Sequence, residues 1–361
     1  MISTKKKIGL SLGKTSKHLG FICRFTEALD TAIDAVWLIR SLVDEDRAYT
    51  PHLADQLGNL GTAFRKLNRH TESLYVNQDS VKLYRSLAAE NPASHTPALA
   101  RKLGNLGTVL SKLNQHTESL RVHQESVGLY QSLVAENPAS YTPDLAFQLG
   151  NLGANLSKLN RQTESLSVDE KSVSLYRSLV AENPASYTPD LARQLGNLAA
   201  DLSNLNRHTE SLSVDQESVE LYRSLVAENP ASFTPNLARQ LGDLGVGLSK
   251  LNRHTESLKV RQESVGLYRS LVAENPASYT PNLAFQLGNL SADLSNLNRH
   301  TESLKVRQES VELYRSLVVG NPASYTPHLA RQLHGLSIIL SSMGRHAESQ
   351  AASQEAARLR T

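Results

Sequence analysis

One block, ASxTPxLAxxLGNLGxxLSxLNRHTESLxVxQESVxLYRSLVAEN, recurs along the chain every 46 residues. Its Thr-Pro pair stands at Thr50-Pro51, Thr96-Pro97, Thr142-Pro143, Thr188-Pro189, Thr234-Pro235, Thr280-Pro281 and Thr326-Pro327. A period of this size belongs to solenoids, in which one unit has too little apolar surface to bury alone and stacks on its neighbours. The repeat therefore predicts one continuous array, where 361 residues would otherwise suggest two or three globular domains. It also favours an extended binding surface over a single active site.

Residues 96–137 show how one repeat folds. Thr96 is placed to cap a helix and Pro97 to fill its first position, where no donor is needed. Leu99, Leu103, Leu106, Leu110 and Leu113 then form one apolar helical stripe. Ala100, Gly104, Gly107 and Ser111 form a small-residue stripe beside it. A helical glycine costs ~1 kcal/mol against alanine, so its repeated use predicts close approach of another helix. Asn114 and its equivalents Asn68, Asn160, Asn206, Asn252, Asn298 and Gly344 share tolerance of the left-handed conformation, which marks the helix C-cap. A second helix is expected from Thr117, with Leu120, Val127, Tyr130 and Val134 on one face, stopped by Asn137-Pro138. The NPASYTP segment is then the returning turn, and each helix has ~18 residues.

Residues 1–25 are a basic segment carrying Lys5, Lys6, Lys7, Lys14, Lys17 and Arg24 without an acid. They read as the degenerate first helix of a worn unit rather than an organelle transit peptide. The array occupies 26–361: the second helix of that worn unit, then seven repeats starting near 50, 96, 142, 188, 234, 280 and 326. No stretch approaches the ~18 consecutive apolar residues of a membrane span. Cys23 is the single cysteine, which excludes an internal disulfide and fits a reducing, cytoplasmic setting. The net charge of +3 is too small to argue for nucleic acid.

The segment from Leu103, LGNLGTVLSKLNQHTESLRVHQESVGLY, resembles the tetratricopeptide repeat. Leu103, Leu106-Gly107 and Leu110 match its first-helix positions, and Ser119 and Ser126 its two small second-helix positions. The period exceeds the family's usual length, as in the lengthened arrays of kinesin light chain and of bacterial and fungal regulators. The resemblance implies an all-α, right-handed α-solenoid of stacked helix pairs whose first helices line a concave, peptide-holding groove. One departure stands out. The family's large apolar residue in mid second helix is here Asn77, His123, Asp169, Asp215, Arg261 or Arg307, and Val122 and its equivalents are candidates to take over its packing.

Opposite the leucine stripe, the first helix presents Arg101, Asn105, Thr108 and Lys112. By resemblance, Asn59, Asn105, Asn151, Asn197 and Asn289 hold the backbone of an extended peptide, since an amide donates and accepts at once. The alternative is copying: TESLKVRQESV stands verbatim at 255 and 301, so shared residues can be relics of duplication. At the Arg101 position the array alternates Arg101, Arg193 and Arg239 with Phe147 and Phe285, residue types that dominate interface energetics. The rings could instead fold against a neighbouring helix. With Lys112 and Lys158 the stripe is mildly basic, which suits an acidic peptide or a free C-terminal carboxylate.

His70, His116, His208, His254, His300 and His346 recur at the repeat spacing, with Gln162 in the third copy, which suits packing and not convergence on a metal. Gly9-Leu10-Ser11-Leu12-Gly13-Lys14-Thr15 approaches a P-loop but has one residue too few between its glycines and no preceding strand. No catalytic constellation, cofactor motif or metal site emerges. The expectation is a non-enzymatic scaffold or adaptor for protein segments. The other readings are the sensor or autoinhibitory arm of a multidomain signalling NTPase and, more weakly, a nucleic-acid binder.

Overall fold

The computed structural model describes residues 2–21 and 24–360. Cys23, and with it the argument about redox setting, lies outside them. The chain divides into two compact halves, Met1–Glu182 and Asn183–Thr361.

The first half holds α1 (Ile2–Phe21), α2 (Phe25–Glu45), α3 (Thr50–Lys66), α4 (His70–Glu90), α5 (Pro92–Lys112), α6 (His116–Glu136), α7 (Pro138–Lys158) and α8 (Gln162–Glu182). The second holds α9 (Pro184–Asn204), α10 (His208–Glu228), α11 (Pro230–Lys250), α12 (His254–Glu274), α13 (Pro276–Asn296), α14 (His300–Gly320), α15 (Pro322–Ser342) and α16 (His346–Arg358). No strand occurs among the described residues. Each half is an all-α stack of tetratricopeptide-like helix pairs. Within a half, consecutive helices pack together, and first helices also touch first helices, as α3 does α5 and α9 does α11.

The first helix starts earlier than Thr96 and Pro97 predict. Asn91 is the cap, its Oδ1 accepting from the Ser94 N–H at 3.2 Å, and Pro92 takes the first helical position. Pro97 falls inside the helix, one turn on. The NPASYTP segment is thus the opening of the first helix, and the only break between repeats is the extended Asn91, with φ −140°. In the 96 repeat, 21 residues in each helix, three in the inner turn and the single Asn137 fill the period. The inner turn follows expectation, with Asn114 at φ 60° and Gly344 at φ 72°.

The small stripe seats the helix pair. Ser119 Oγ donates to the Gly107 carbonyl at 2.8 Å and Ser126 Oγ to that of Ala100 at 2.7 Å. The same bonds recur in the second half from Ser211 to Ala199 and from Ser218 to Ala192. Apolar burial then joins one repeat to the next. Leu120, Val127, Tyr130 and Leu133 of α6 pack with Leu145, Leu149, Leu152 and Leu156 of α7. The P-loop-like segment lies within α1, where Gly9 faces Ile39 of α2 and Gly13 faces Gln56 of α3. Its glycines admit neighbouring side chains.

The interior departs from expectation at mid second helix. Asn77, His123, Asp215, Arg261 and Arg307 are themselves buried, and Val122 is the one fully buried valine beside them, since Val76, Val214, Val260 and Val306 are only half-buried. The valines do not take over. Their polar neighbours stay inside because the next first helix supplies a buried polar partner: Gln240 Nε2 donates to Asp215 Oδ1 at 2.7 Å, and Arg307 Nη1 donates to Gln332 Oε1. In the 50 repeat the equivalent glutamine of the following helix is Lys102, buried and paired with Asp55 at 3.1 Å.

Candidate binding face

The asparagines predicted to hold a peptide lie on first helices, half-buried, on the face opposite the leucine stripe. Three of them donate to the buried glutamine one turn earlier: Asn59 to Gln56 at 3.0 Å, Asn151 to Gln148 at 3.5 Å and Asn197 to Gln194 at 3.0 Å. That bond uses one N–H and fixes the amide plane, leaving the carbonyl and the other N–H for a ligand. Asn289 Nδ2 is buried without a partner. Asn105 is half-buried on α5.

The arginines are neutralised nearby. Arg101 lies 3.3 Å from Asp55, Arg193 2.6 Å from Asp190 and Arg239 3.1 Å from Asp243. Phe147 and Phe285 keep 40% and 37% of their surface exposed, enough to meet a ligand. Lys158 Nζ bonds Ser111 Oγ at 2.9 Å; its own burial and then the Lys112 charge lower its pKa. The stripe is therefore less basic than its residue count implies.

Cavities open on this face. In the first half, about 370 Å³ lies between α1, α2, α3 and α5, with Lys17, Lys66 and Arg101 around Phe25, Ala28 and Ala63, and Asn59 at its wall. In the second half, about 270 Å³ lies between α9, α10 and α11, walled by Asn197, Asp215, Arg239, Asp243 and Lys250. Another, also about 270 Å³, brings Phe285 together with Arg239, Tyr268, Tyr314 and His328.

The sequence reading missed the buried polar residues behind this face. Burial pushes His123 down to about 4, so the ring is neutral against Gly107 and Gln148. Burial, and then the nearby Asp243 charge, push Asp215 up to about 8. Burial lowers Lys102 to about 8, with Asp55 holding it up. The signal was present: Gln56, Gln148, Gln194, Gln240, Gln286 and Gln332 recur one residue before the stripe leucine, at a position a purely apolar core would not keep polar. The repeated histidines begin the second helices, half-buried except for the exposed His346, and no cluster able to hold a metal occurs among the described residues. No helix there is long and apolar enough to cross a membrane.

The family model described as Tetratricopeptide repeat matches residues 99–139 and 191–231, one segment beginning in each half. Among curated proteins none matches the chain. Solved structures do. The apo quorum sensor NprR from B. thuringiensis is 13% identical with a TM-score of 0.64, covering 98% of this chain and 88% of its own. Aspartyl phosphate phosphatase F from Bacillus subtilis is 10% identical, TM-score 0.58, covering 91% and 75%. BtubC (BKLC) from P. vanneervenii is 15% identical, TM-score 0.55, covering 68% and 91%. At these identities the likeness concerns the fold.

Proposed function

We propose that this tetratricopeptide-like array is a non-enzymatic scaffold or adaptor whose first-helix face holds extended segments of a partner protein. The observation that carries the reading is the amide geometry: a half-buried asparagine, fixed by its glutamine and still able to donate and accept, recurs beside Arg or Phe on a face that opens into cavities. Paired donors and acceptors at repeat spacing suit a peptide backbone. In the first half, Lys17 and Lys66 around an apolar floor favour an acidic residue or a terminal carboxylate. Nucleic-acid binding is disfavoured by the pairing of Arg101, Arg193 and Arg239 with aspartates, since phosphate affinity rests on unpaired cations.

The test is affinity capture of partners, then titration of the captured segment. Asn151→Ala should weaken binding roughly two- to tenfold, a net hydrogen bond being worth ~0.5–1.5 kcal/mol, and Phe147→Ala roughly fivefold or more through lost aromatic contact. Gln124→Ala, exposed on α6, serves as the control. Normal binding by the first-helix variants, together with loss in Gln124→Ala, would move the site to the second-helix face.

A further inference from the structure

The repeats allow one position to be compared with its copies. At the place of Asn155 on the first helix, the array reads Ala63, Val109, Asn155, Asp201, Gly247, Asp293 and Ile339. Only Gly247 lacks a side chain. One repeat later, Asp293 reaches back into the preceding repeat. Its Oδ1 accepts from Ser249 Oγ at 2.6 Å, and its Oδ2 meets Arg261 Nε at 2.7 Å and Ser257 Oγ. The counterparts of Ser249, Ser257 and Arg261 are Ser203, Ser211 and Asp215, and all three line the 270 Å³ cavity that Gly247 leaves open. The charge is inverted. Where buried Arg261 has a carboxylate opposite it, buried Asp215 has a hole.

The hole presents the Asp215 carboxyl, with Arg239 and Asp243 paired on its wall and Lys250 Nζ turned to Ser203 Oγ at 2.6 Å. Asp215 is 5% exposed; Oδ1 takes the Gln240 bond, and Oδ2 lies 3.7 Å from where a Gly247 Cβ would stand. Gln240, fully buried, has its Oε1 unpartnered against Gly196, which also walls the cavity. A buried carboxyl with no counter-charge opposite it is costly unless a ligand supplies one.

We propose that this cavity is a receptor for a single cationic head, a guanidinium or primary ammonium, delivered by an arginine or lysine side chain of a protein segment lying along α9 and α11. The proposal rests on the first-helix face being a binding face and adds a basic anchor residue for the second half. The head would stand toward Asp215 as Asp293 stands toward Arg261. Its N–H groups would meet Asp215 Oδ2. Burial and then the Asp243 charge hold the Asp215 carboxyl near 8, against the Arg239 charge, with Lys250 the other cation on the wall; a bound cation draws off that proton, and affinity rises with pH up to about 8.

The test uses the full chain, isotope-labelled, titrated through the millimolar range with Nα-acetyl-arginine amide and Nα-acetyl-lysine amide. The Gly196 and Gly247 amide signals should shift. The neutral Nα-acetyl-citrulline amide and the anionic Nα-acetyl-glutamate amide should leave them in place. Asp215→Asn should weaken arginine-amide binding roughly tenfold or more, the size of a lost charge-assisted bond. Gly247→Asn, which fills the hole as Asn155 does in the first half, should abolish it, with a thermal melt confirming the fold of each variant. Equal response to citrulline, preference for glutamate, or no response to either cation overturns the proposal. The outcome separates from that of the binding face as a whole. Captured segments that need Asn151 and Phe147 but ignore Asp215→Asn sink the pocket alone; an arginine-specific pocket on a chain that captures no segment sinks the groove.

Discussion

His123 and Asp215 stand at the same position of two repeats, and their titrations oppose each other. The unfolded His123 ring binds its proton near pH 6.5, whereas burial keeps the folded ring neutral down to about 4. Stability linked to it is present above 6.5 and is lost as pH falls through that window. Asp215 has the other sign: folded, it keeps its proton to about 8, while the unfolded carboxyl has lost it near 3.8. Its contribution is full below 3.8 and is lost as pH rises toward 8. Thermal melts should therefore show His123→Gln losing less stability than wild type between pH 7 and pH 4.5. Asp215→Asn should gain on wild type between pH 5 and pH 8 and level off above. A constant offset across either range would mean that the side chain titrates normally. On the proposal above, Asp215 costs stability as pH rises and supplies the charge that receives a cation, the trade between stability and binding expected at a functional site.

At the scale of the helix, the asparagine cap marks where each repeat after the 50 repeat begins, whereas α3 starts at Thr50 with no side-chain cap. Asn91→Ala removes the acceptor for the Ser94 N–H and should cost ~0.5–2 kcal/mol in chemical denaturation. Thr96→Ala, a change inside the helix, should stay within ~0.5 kcal/mol. The opposite ranking would restore Thr96 as the cap. The sequence carried the leucine stripe, the left-handed Asn114 and the close seating at Gly107, because each is decided within one repeat by periodicity, backbone sterics or a missing side chain. It misled at Pro97, since a proline inside the helix looks like one at its start. The candidate face was legible as a stripe, and the asparagines do lie on it. The pairing of Arg239 with Asp243, the Asn197–Gln194 bond and the pocket under Gly247 were not legible. The first two are side-chain choices within one helix turn. The pocket depends on residues 32 apart in sequence, Asp215 and Gly247, that meet only when repeats stack.

Across the whole molecule, near-identical repeats must still find the right neighbours. The exposed ion pairs Arg85–Glu125, Arg223–Glu263, Arg269–Glu309 and Arg315–Glu355 link successive second helices within each half, but each is worth only ~0–1 kcal/mol and repeats the same residue types. The buried partners are more discriminating. Asp215–Gln240, Arg261–Asp293 and Arg307–Gln332 differ from one repeat to the next, and a slipped stack would leave Arg261 or Asp293 buried without its counter-charge. Order is thus encoded between neighbours, and so should be the response to damage. At Gly107 a Cβ would stand 2.6 Å from the His123 ring, and the Gly107 carbonyl already holds Ser119. Gly107→Leu must part α5 from α6, at ~1–3 kcal/mol. In an array whose stability is a sum of local and nearest-neighbour terms, that cost is felt first by the repeats that touch it. Hydrogen exchange should lose protection near residues 96–180 while residues 280–340 keep theirs. Equal loss along the chain would mean that the array unfolds as one cooperative body, and that its order is not held by contacts between adjacent repeats alone.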